Sequence, residues 1–241
     1  AGSGHGNGAK VPFGCFQTLG DLLLDFKKKS SYYNYYRDLN LTDAIANVNY
    51  MQDGIHFKRE YFISAPANVL IVKISADKKG AISFTAALTR PERFTAAAAR
   101  NELIMTGIMD NGKKGNGMEY MVRVKAKLTG GKQSTSGDKL IIKNADEVVL
   151  YLTASTDYLP NYPVYKGRGY KKITKTNLEN AVVEKFNQLK NQHISDYQKY
   201  FNRVSLQLTG NGQTDDMATD ERLKKIKDTK NDNYLTQLYF Q

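Results

Sequence analysis

Through the first two thirds of the chain, short runs of alternating apolar and polar residues are separated by Gly, Asn and Asp. This is the pattern of half-buried strands joined by turns. The run 118–128 is the clearest, with Tyr120, Val122, Val124, Ala126 and Leu128 on one face. On either side of Asp53-Gly54, Val48 and Tyr50 alternate with Asn49 and Met51, and Ile55, Phe57, Arg59 and Tyr61 alternate with His56, Lys58 and Glu60. Asp-Gly suits a two-residue type I′ turn, whose central residues both need positive φ, so a hairpin is predicted here. A second hairpin is predicted from 69–76 and 81–88, around Asp77-Lys78-Lys79-Gly80. Further strands are expected at 19–26, 103–108, 139–143 and 147–154, with a long Gly/Lys/Asn loop over 110–117 and a late strand at 204–208. About ten strands with almost no helix predict an antiparallel sandwich.

The period changes after Tyr158. Residues 159–172 read as a Pro-, Tyr- and Lys-containing loop. Thr176 and Glu179 have the spacing of a capping box, and Leu178, Val182, Phe186 and Leu189 then recur at helical intervals. Ile194, Tyr197, Phe201 and Val204 continue the period after a break near Asn191, so one or two amphipathic helices follow the sandwich. Residues 210–217 read as a loop and Thr219-Asp220-Glu221-Arg222 as the start of another short helix. Leu238-Tyr239-Phe240-Gln241 stands in the middle of an apolar pattern, as expected of a segment that continues. At the other end, residues 1–15 form a Gly-rich lead. With neither a strand before Gly2-Ser3-Gly4-His5-Gly6-Asn7-Gly8 nor a helix after it, the lead reads as flexible rather than phosphate-binding.

Composition narrows the chemistry. The single Cys15, beside Phe13 and Phe16, excludes an internal disulfide framework and a thiolate metal cluster. His5, His56 and His193 lie in the lead, on a strand and on a helix, with none of the pairing that a metal site requires. His193 stands near Asp196 and Tyr197 in helical register, as for a structural hydrogen bond. The net charge of +11 raises nucleic-acid binding, yet residues 166–203 carry nine Lys/Arg against three Asp/Glu, a concentration that suits a solvated or interdomain face. No nucleic-acid-binding motif supports that alternative. No apolar run approaches the roughly 18 residues of a membrane span. Asp53, Asp77, Asp110 and Asp138 are explained by turn chemistry, and no carboxylate stands out as a general acid, so no catalytic residue, metal ligand or cofactor is assigned. The chain has no Trp, but Tyr32, Tyr33, Tyr35 and Tyr36, and the group Tyr158, Tyr162, Tyr165 and Tyr170, could serve as sugar platforms or as interdomain contacts.

Six segments then resemble family-95 glycoside hydrolases in order and spacing. Phe16-Gln17-Thr18-Leu19-Gly20-Asp21-Leu22-Leu23-Leu24-Asp25-Phe26 resembles that family's "YQPLGDLLLDF". Tyr36-Arg37-Asp38-Leu39-Asn40-Leu41-Thr42-Asp43-Ala44-Ile45-Ala46 is similar to "YRRELDLDTAIA", and Arg59-Glu60-Tyr61-Phe62-Ile63-Ser64-Ala65-Pro66 to "REYFASAP". Arg90-Pro91-Glu92-Arg93 and Gly117-Met118-Glu119-Tyr120 fall where such sequences carry them. His193-Ile194-Ser195-Asp196-Tyr197 with Phe201-Asn202-Arg203-Val204-Ser205-Leu206 resembles "HxxDYxxLFxRVSL".

The resemblance implies a mainly β fold, an antiparallel super-sandwich of the galactose-mutarotase-like kind, followed by a short α-helical linker. It divides the chain into a lead at 1–15, a sandwich at 16–158 that is incomplete at its N-terminus, and a linker at 159–241. The linker would hold one late strand and end where an (α/α)6 barrel begins, near Leu238-Tyr239-Phe240-Gln241. The family is chiefly α-L-fucosidases, with some members acting on α-L-galactosides; its members hydrolyse with inversion, with catalytic groups in the barrel, and a bacterial parent is expected. The chain is thus expected to be a non-catalytic N-terminal segment. Its partners would be its own barrel and, through the parent enzyme, a fucosylated glycan, in a periplasmic or secreted protein. The alternative is a stand-alone glycan-binding sandwich module. Such sequences have further residues ahead of the Phe16 segment, so an uncovered sheet edge or apolar face is expected.

Overall fold

The computed structural model describes residues 17–27, 30–111, 115–208, 217–229 and 231–241. Cys15, His5, the glycines of the lead and most of the expected 210–217 loop lie outside the described residues. Among the described residues, twelve strands precede four helices. The strands are β1 (Asp21–Asp25), β2 (Tyr32–Asn40), β3 (Ile45–Gln52), β4 (Ile55–Ser64), β5 (Val69–Ala76), β6 (Ile82–Thr89), β7 (Thr95–Ala99), β8 (Glu102–Asp110), β9 (Asn116–Thr129), β10 (Lys132–Ser136), β11 (Lys139–Ala145) and β12 (Glu147–Thr156). The helices are α1 (Tyr170–Val183), α2 (Phe186–Phe201), α3 (Thr219–Thr229) and α4 (Asn233–Phe240).

The strands form two antiparallel sheets, a large one in the order β2-β3-β4-β5-β12-β9-β8-β7 and a small one in the order β1-β6-β11-β10. The mainly β sandwich with a helical part is as expected. Its core lies between the sheets, where Val72, Ile74, Val122, Val124, Val148 and Leu150 meet Phe84, Ala86, Leu140 and Ile142. The other face of the large sheet is apolar only at its centre. There Phe62, Val69, Ile71, Val149 and Tyr151 pack against Leu178 and Ala181 of α1 and Leu189 of α2. β5 is therefore buried on both faces, whereas β6 alternates strictly between buried and half-buried.

The Asp53-Gly54 hairpin forms as predicted: Gln52 pairs with Ile55, and φ is 52° at Asp53 and 73° at Gly54. The second predicted hairpin does not form. β5 pairs with β4 and β12, β6 pairs with β1 and β11, and the 77–80 turn carries the chain from one sheet to the other. Two adjacent apolar runs look the same whether they pair edge to edge or face each other across a core. β2, β7 and β10 escape the alternation rule because β2 is exposed along nearly all its length, β7 is a run of alanines and β10 is polar.

The helical part also departs from the sequence reading. α1 begins at Tyr170, not at the Thr176 capping box, which lies inside it. The early start is anchored by tertiary contact, with the Tyr170 hydroxyl donating to Glu119 Oε2 at 2.6 Å. The break falls at Glu184 and Lys185, both extended, rather than near Asn191. That turn brings the Phe186 ring to 5.8 Å from Phe62. Residues 204–208 are irregular and have no strand partner among the described residues. α3 and α4 are joined by a buried ion pair, Arg222 Nη1 to Asp232 Oδ2 at 3.2 Å, with the guanidinium 4.3 Å from the Tyr234 ring centre.

Candidate functional site

The strand registers gather five connecting segments at one end of the sandwich, residues 17–20, 41–44, 65–68, 90–94 and 157–169, and bring Asn111 and Gly115 to the same end. Segments far apart in sequence contact one another there. Arg90 is buried, lies 4.9 Å from the Tyr120 ring centre and donates to Gln17 Oε1 at 2.5 Å. The Tyr120 hydroxyl donates to the Arg93 carbonyl at 3.0 Å, and Arg93 pairs with Asp110 at 2.5 Å. Gly107 makes this junction possible, because a Cβ there would stand 2.1 Å from the Arg93 oxygen and 2.5 Å from the Tyr120 hydroxyl.

At the same end α2 is fixed to the β2–β3 turn. Asn40 Oδ1 accepts from the amides of Thr42 and Asp43, and Ala44 has φ of 51°. This turns the Asp43 and Ala44 carbonyls toward α2, where His193 Nε2 meets them at 3.0 and 3.2 Å. Carbonyls only accept, so Nε2 carries the proton. The buried ring stacks on Phe62 at 5.0 Å. His193 therefore makes the structural bond expected of it. Nearby, Lys190 Nζ reaches Glu60 Oε1 at 2.8 Å. Desolvation alone would raise the Glu60 pKa. The hydrogen bond and charge of Lys190, with Lys58 and Lys73, outweigh it and hold Glu60 below the usual carboxylate range.

The structure separates the tyrosines. Tyr32, Tyr33, Tyr35 and Tyr36 lie on β2, an edge strand, with a bulge between Tyr33 and Tyr36 and Asn34 at φ of 52°. All four are exposed, and Tyr32 contacts Tyr35 and Tyr50 at 5.5 and 6.3 Å. They sit beside Met51 and Gln52, at the opposite end of the large sheet from the second group. In that group Tyr170 stands apart. It is buried, and desolvation, then its bond to Glu119, push its hydroxyl up to about 12. Tyr158, Tyr162 and Tyr165 stay exposed on the loop 157–169, with Tyr158 and Tyr165 parallel at 6.4 Å and Tyr162 edge-on to Tyr165 at 6.2 Å. The loop is pinned. Gly167 and Arg168 amides donate to the Asp157 carbonyl, the Tyr165 amide donates to Asn161 and Lys166 Nζ donates to the Gly117 carbonyl.

Among the described residues no cluster of three His, Cys, Asp or Glu could hold a metal ion, and no helix is long and apolar enough to cross a membrane. His56 is exposed on β4, away from His193. Sequence reasoning missed the convergence at this end. The one available signal was the order of the resembling segments, all six of which supply residues to it.

Residues 2–161 match the family described as glycosyl hydrolase family 65, N-terminal domain. The chain belongs to this family. Residues 185–241, beginning at the break before α2, match the glycosyl hydrolase family 95 catalytic domain. "Alpha-L-fucosidase 2" of Arabidopsis thaliana is 30% identical over 95% of this chain, and "Probable alpha-fucosidase A" of Aspergillus niger is 27% identical over 95%. The two matches and these relatives agree with the family-95, fucosidase-type recognition made from the sequence. The chain spans only 31% and 30% of those relatives. A solved structure of a human-microbiome protein named for kojibiose phosphorylase superposes with a TM-score of 0.50 at 11% identity, covering 75% of this chain and 27% of its own, a likeness of fold alone.

Proposed function

We propose that the chain is the non-catalytic N-terminal segment of an exported, periplasmic or secreted glycoside hydrolase that removes terminal α-L-fucose from glycans with inversion. In this reading residues 16–158 are the sandwich and 159–241 lead into a helical (α/α)6 catalytic barrel. One observation carries it: an N-terminal-domain match over 2–161 followed directly by a family-95 catalytic-domain match from 185, in a chain whose similar relatives are named α-fucosidases. The electrostatics support the non-catalytic part. Inverting hydrolysis needs one carboxyl kept protonated near neutral pH and a second to activate water. Glu60 and Asp232 both shift downward and are held as anions, Asp232 first by the Leu235 amide and then by Arg222, and Glu60 by Lys190 against its desolvation. At the gathered end, Arg90, Arg93, Asp110, Tyr120 and His193 are engaged with one another or with backbone.

The test is release of nitrophenol from an aryl α-L-fucoside. The full-length protein should turn the substrate over with inverted product, read by NMR of the first-formed anomer, and this chain alone should not. Turnover by the chain alone removes the non-catalytic assignment, and an inactive full-length protein removes the fucosidase reading. The alternative of a glycan-binding module draws on the exposed Tyr158, Tyr162 and Tyr165. Micromolar binding of this chain on a glycan array would favour it.

A further inference from the structure

The loop 157–169 exposes more apolar surface than its connecting role requires. Tyr162 is 81% exposed, Val164 68%, Tyr165 43%, Tyr158 41% and Leu159 38%. A solvated connection of this length ordinarily turns such side chains inward or carries polar ones. The loop is also held in shape. The Tyr158–Lys166 bridge, the paired amides on the Asp157 carbonyl, the Leu159 amide on Tyr165 O and the Lys166 bond to Gly117 fix both of its arms. A preformed loop presenting tyrosines loses little conformational freedom when covered, and tyrosine at the centre of a patch is typical of energetically dominant contact residues. Around it stand exposed cations, Lys166, Arg168, Lys171 and Lys172. The carboxylates beneath are turned inward: Asp157 Oδ1 accepts from the Glu119 amide and Glu119 Oε2 from Tyr170.

We infer that this loop is the docking surface for the remainder of the catalytic domain of the same polypeptide, which meets it with an apolar centre and a carboxylate rim. The inference rests on the proposed function. Three observations select that partner. The loop contains the end of the segment matched by one family, 2–161, and leads through α1 into the segment matched by the other, 185–241. α2, which belongs to the catalytic-domain match, is already seated at this end through Leu189 and His193, so a further catalytic contact would continue an interface that exists. The similar relatives are more than three times as long as the matched segment, which leaves ample chain to cover the loop. The cationic rim fits a carboxylate-bearing protein face by charge complementarity.

The experiment is tyrosine nitration by tetranitromethane, read by peptide mass spectrometry and scaled to added N-acetyltyrosinamide. In this chain Tyr162 should react at close to the rate of the free standard. In the full-length protein its rate should fall at least about tenfold, the effect of removing an exposed ring from solvent. The double variant Arg168→Glu and Lys172→Glu, made in the full-length protein, should restore much of the reactivity and make it salt-dependent. Equal nitration of Tyr162 in the two proteins overturns the proposal. Protection of Tyr162 in this chain alone by a fucosylated oligosaccharide also overturns it, in favour of a sugar platform. Activity on the aryl fucoside, measured on the same full-length preparation, separates the two readings. An active enzyme with reactive Tyr162 sinks only the docking surface, and an inactive one with protected Tyr162 sinks only the fucosidase assignment.

Discussion

Replacing His193 with alanine tests whether α2 is held to the sandwich where the structure places it. The imidazole donates one N–H to two carbonyls 150 and 149 residues away and lies 5% exposed against Phe62. Removing the donor leaves two inward-facing carbonyls short of a partner, a cost of about 1–3 kcal/mol. Removing the ring contact costs about 0.5–1.5 kcal/mol more. The sum centres near 3 kcal/mol, and in a protein of this size each kcal/mol lowers Tm by about 2–4 °C, so His193→Ala should melt about 6–12 °C lower. Urea titration followed by far-UV circular dichroism measures the free energy directly. Two further variants divide it: His193→Phe keeps a ring against Phe62 without a donor, and His193→Gln keeps a donor without the ring. Each should recover part of the loss. Hydrogen exchange should show faster opening of residues 41–44 and of α2, with the centre of β9 unchanged. If His193→Ala unfolds within about 0.5 kcal/mol of the parent chain, the ring does not carry the helix–sheet attachment and the reasoning fails.

Gly107→Ala drives a Cβ into the Arg93 carbonyl and the Tyr120 hydroxyl, and should destabilise by about 3 kcal/mol or more, seen as lost soluble yield and a lowered Tm. Because the folded pKa of Glu60 lies below its unfolded value, its contribution to stability is complete above about pH 4.5 and is lost as pH falls through the folded value. Stability measured by urea titration from pH 7 to 3 should therefore fall less steeply below pH 4.5 in Glu60→Gln than in the parent chain. Asp232→Asn removes the charge opposite Arg222, which is 1% exposed, and weakens the cap on the Leu235 amide. A loss of about 3–5 kcal/mol exceeds what two short helices can sustain, so α3 and α4 should exchange amide hydrogens freely while the sandwich keeps its protection.

The turn at Asp53-Gly54 was legible because its requirement is local: two residues that accept positive φ between alternating strands. The inward face of β9 was legible for the same reason, since a period of two identifies which side chains share a side. The 69–76 and 81–88 runs show where that reasoning stops. Their pattern specifies two strands with buried faces, but whether they pair or oppose each other depends on β4, β12, β1 and β11. The start of α1 was misplaced because a capping box at Thr176 is a local preference, and the tertiary bond of Tyr170 to Glu119 overrides it. The tyrosines appeared as two groups in sequence. Only the fold could show that Tyr170 is interior while Tyr158, Tyr162 and Tyr165 face outward, because exposure depends on what other segments cover.

By itself, then, the sequence determined the class of this protein: strands first and helices after, without a disulfide framework or a membrane-length apolar run, and with segments in an order that resembles one hydrolase family. Tertiary structure decided which layer each strand joins, where α2 is seated, and that 17–20, 41–44, 90–94 and 157–169 meet at one end. The division follows from range. Side-chain periodicity and turn preference act over a few residues, whereas strand order and helix docking are selected by hydrogen bonds and apolar contacts between segments as far apart as Asp43 and His193.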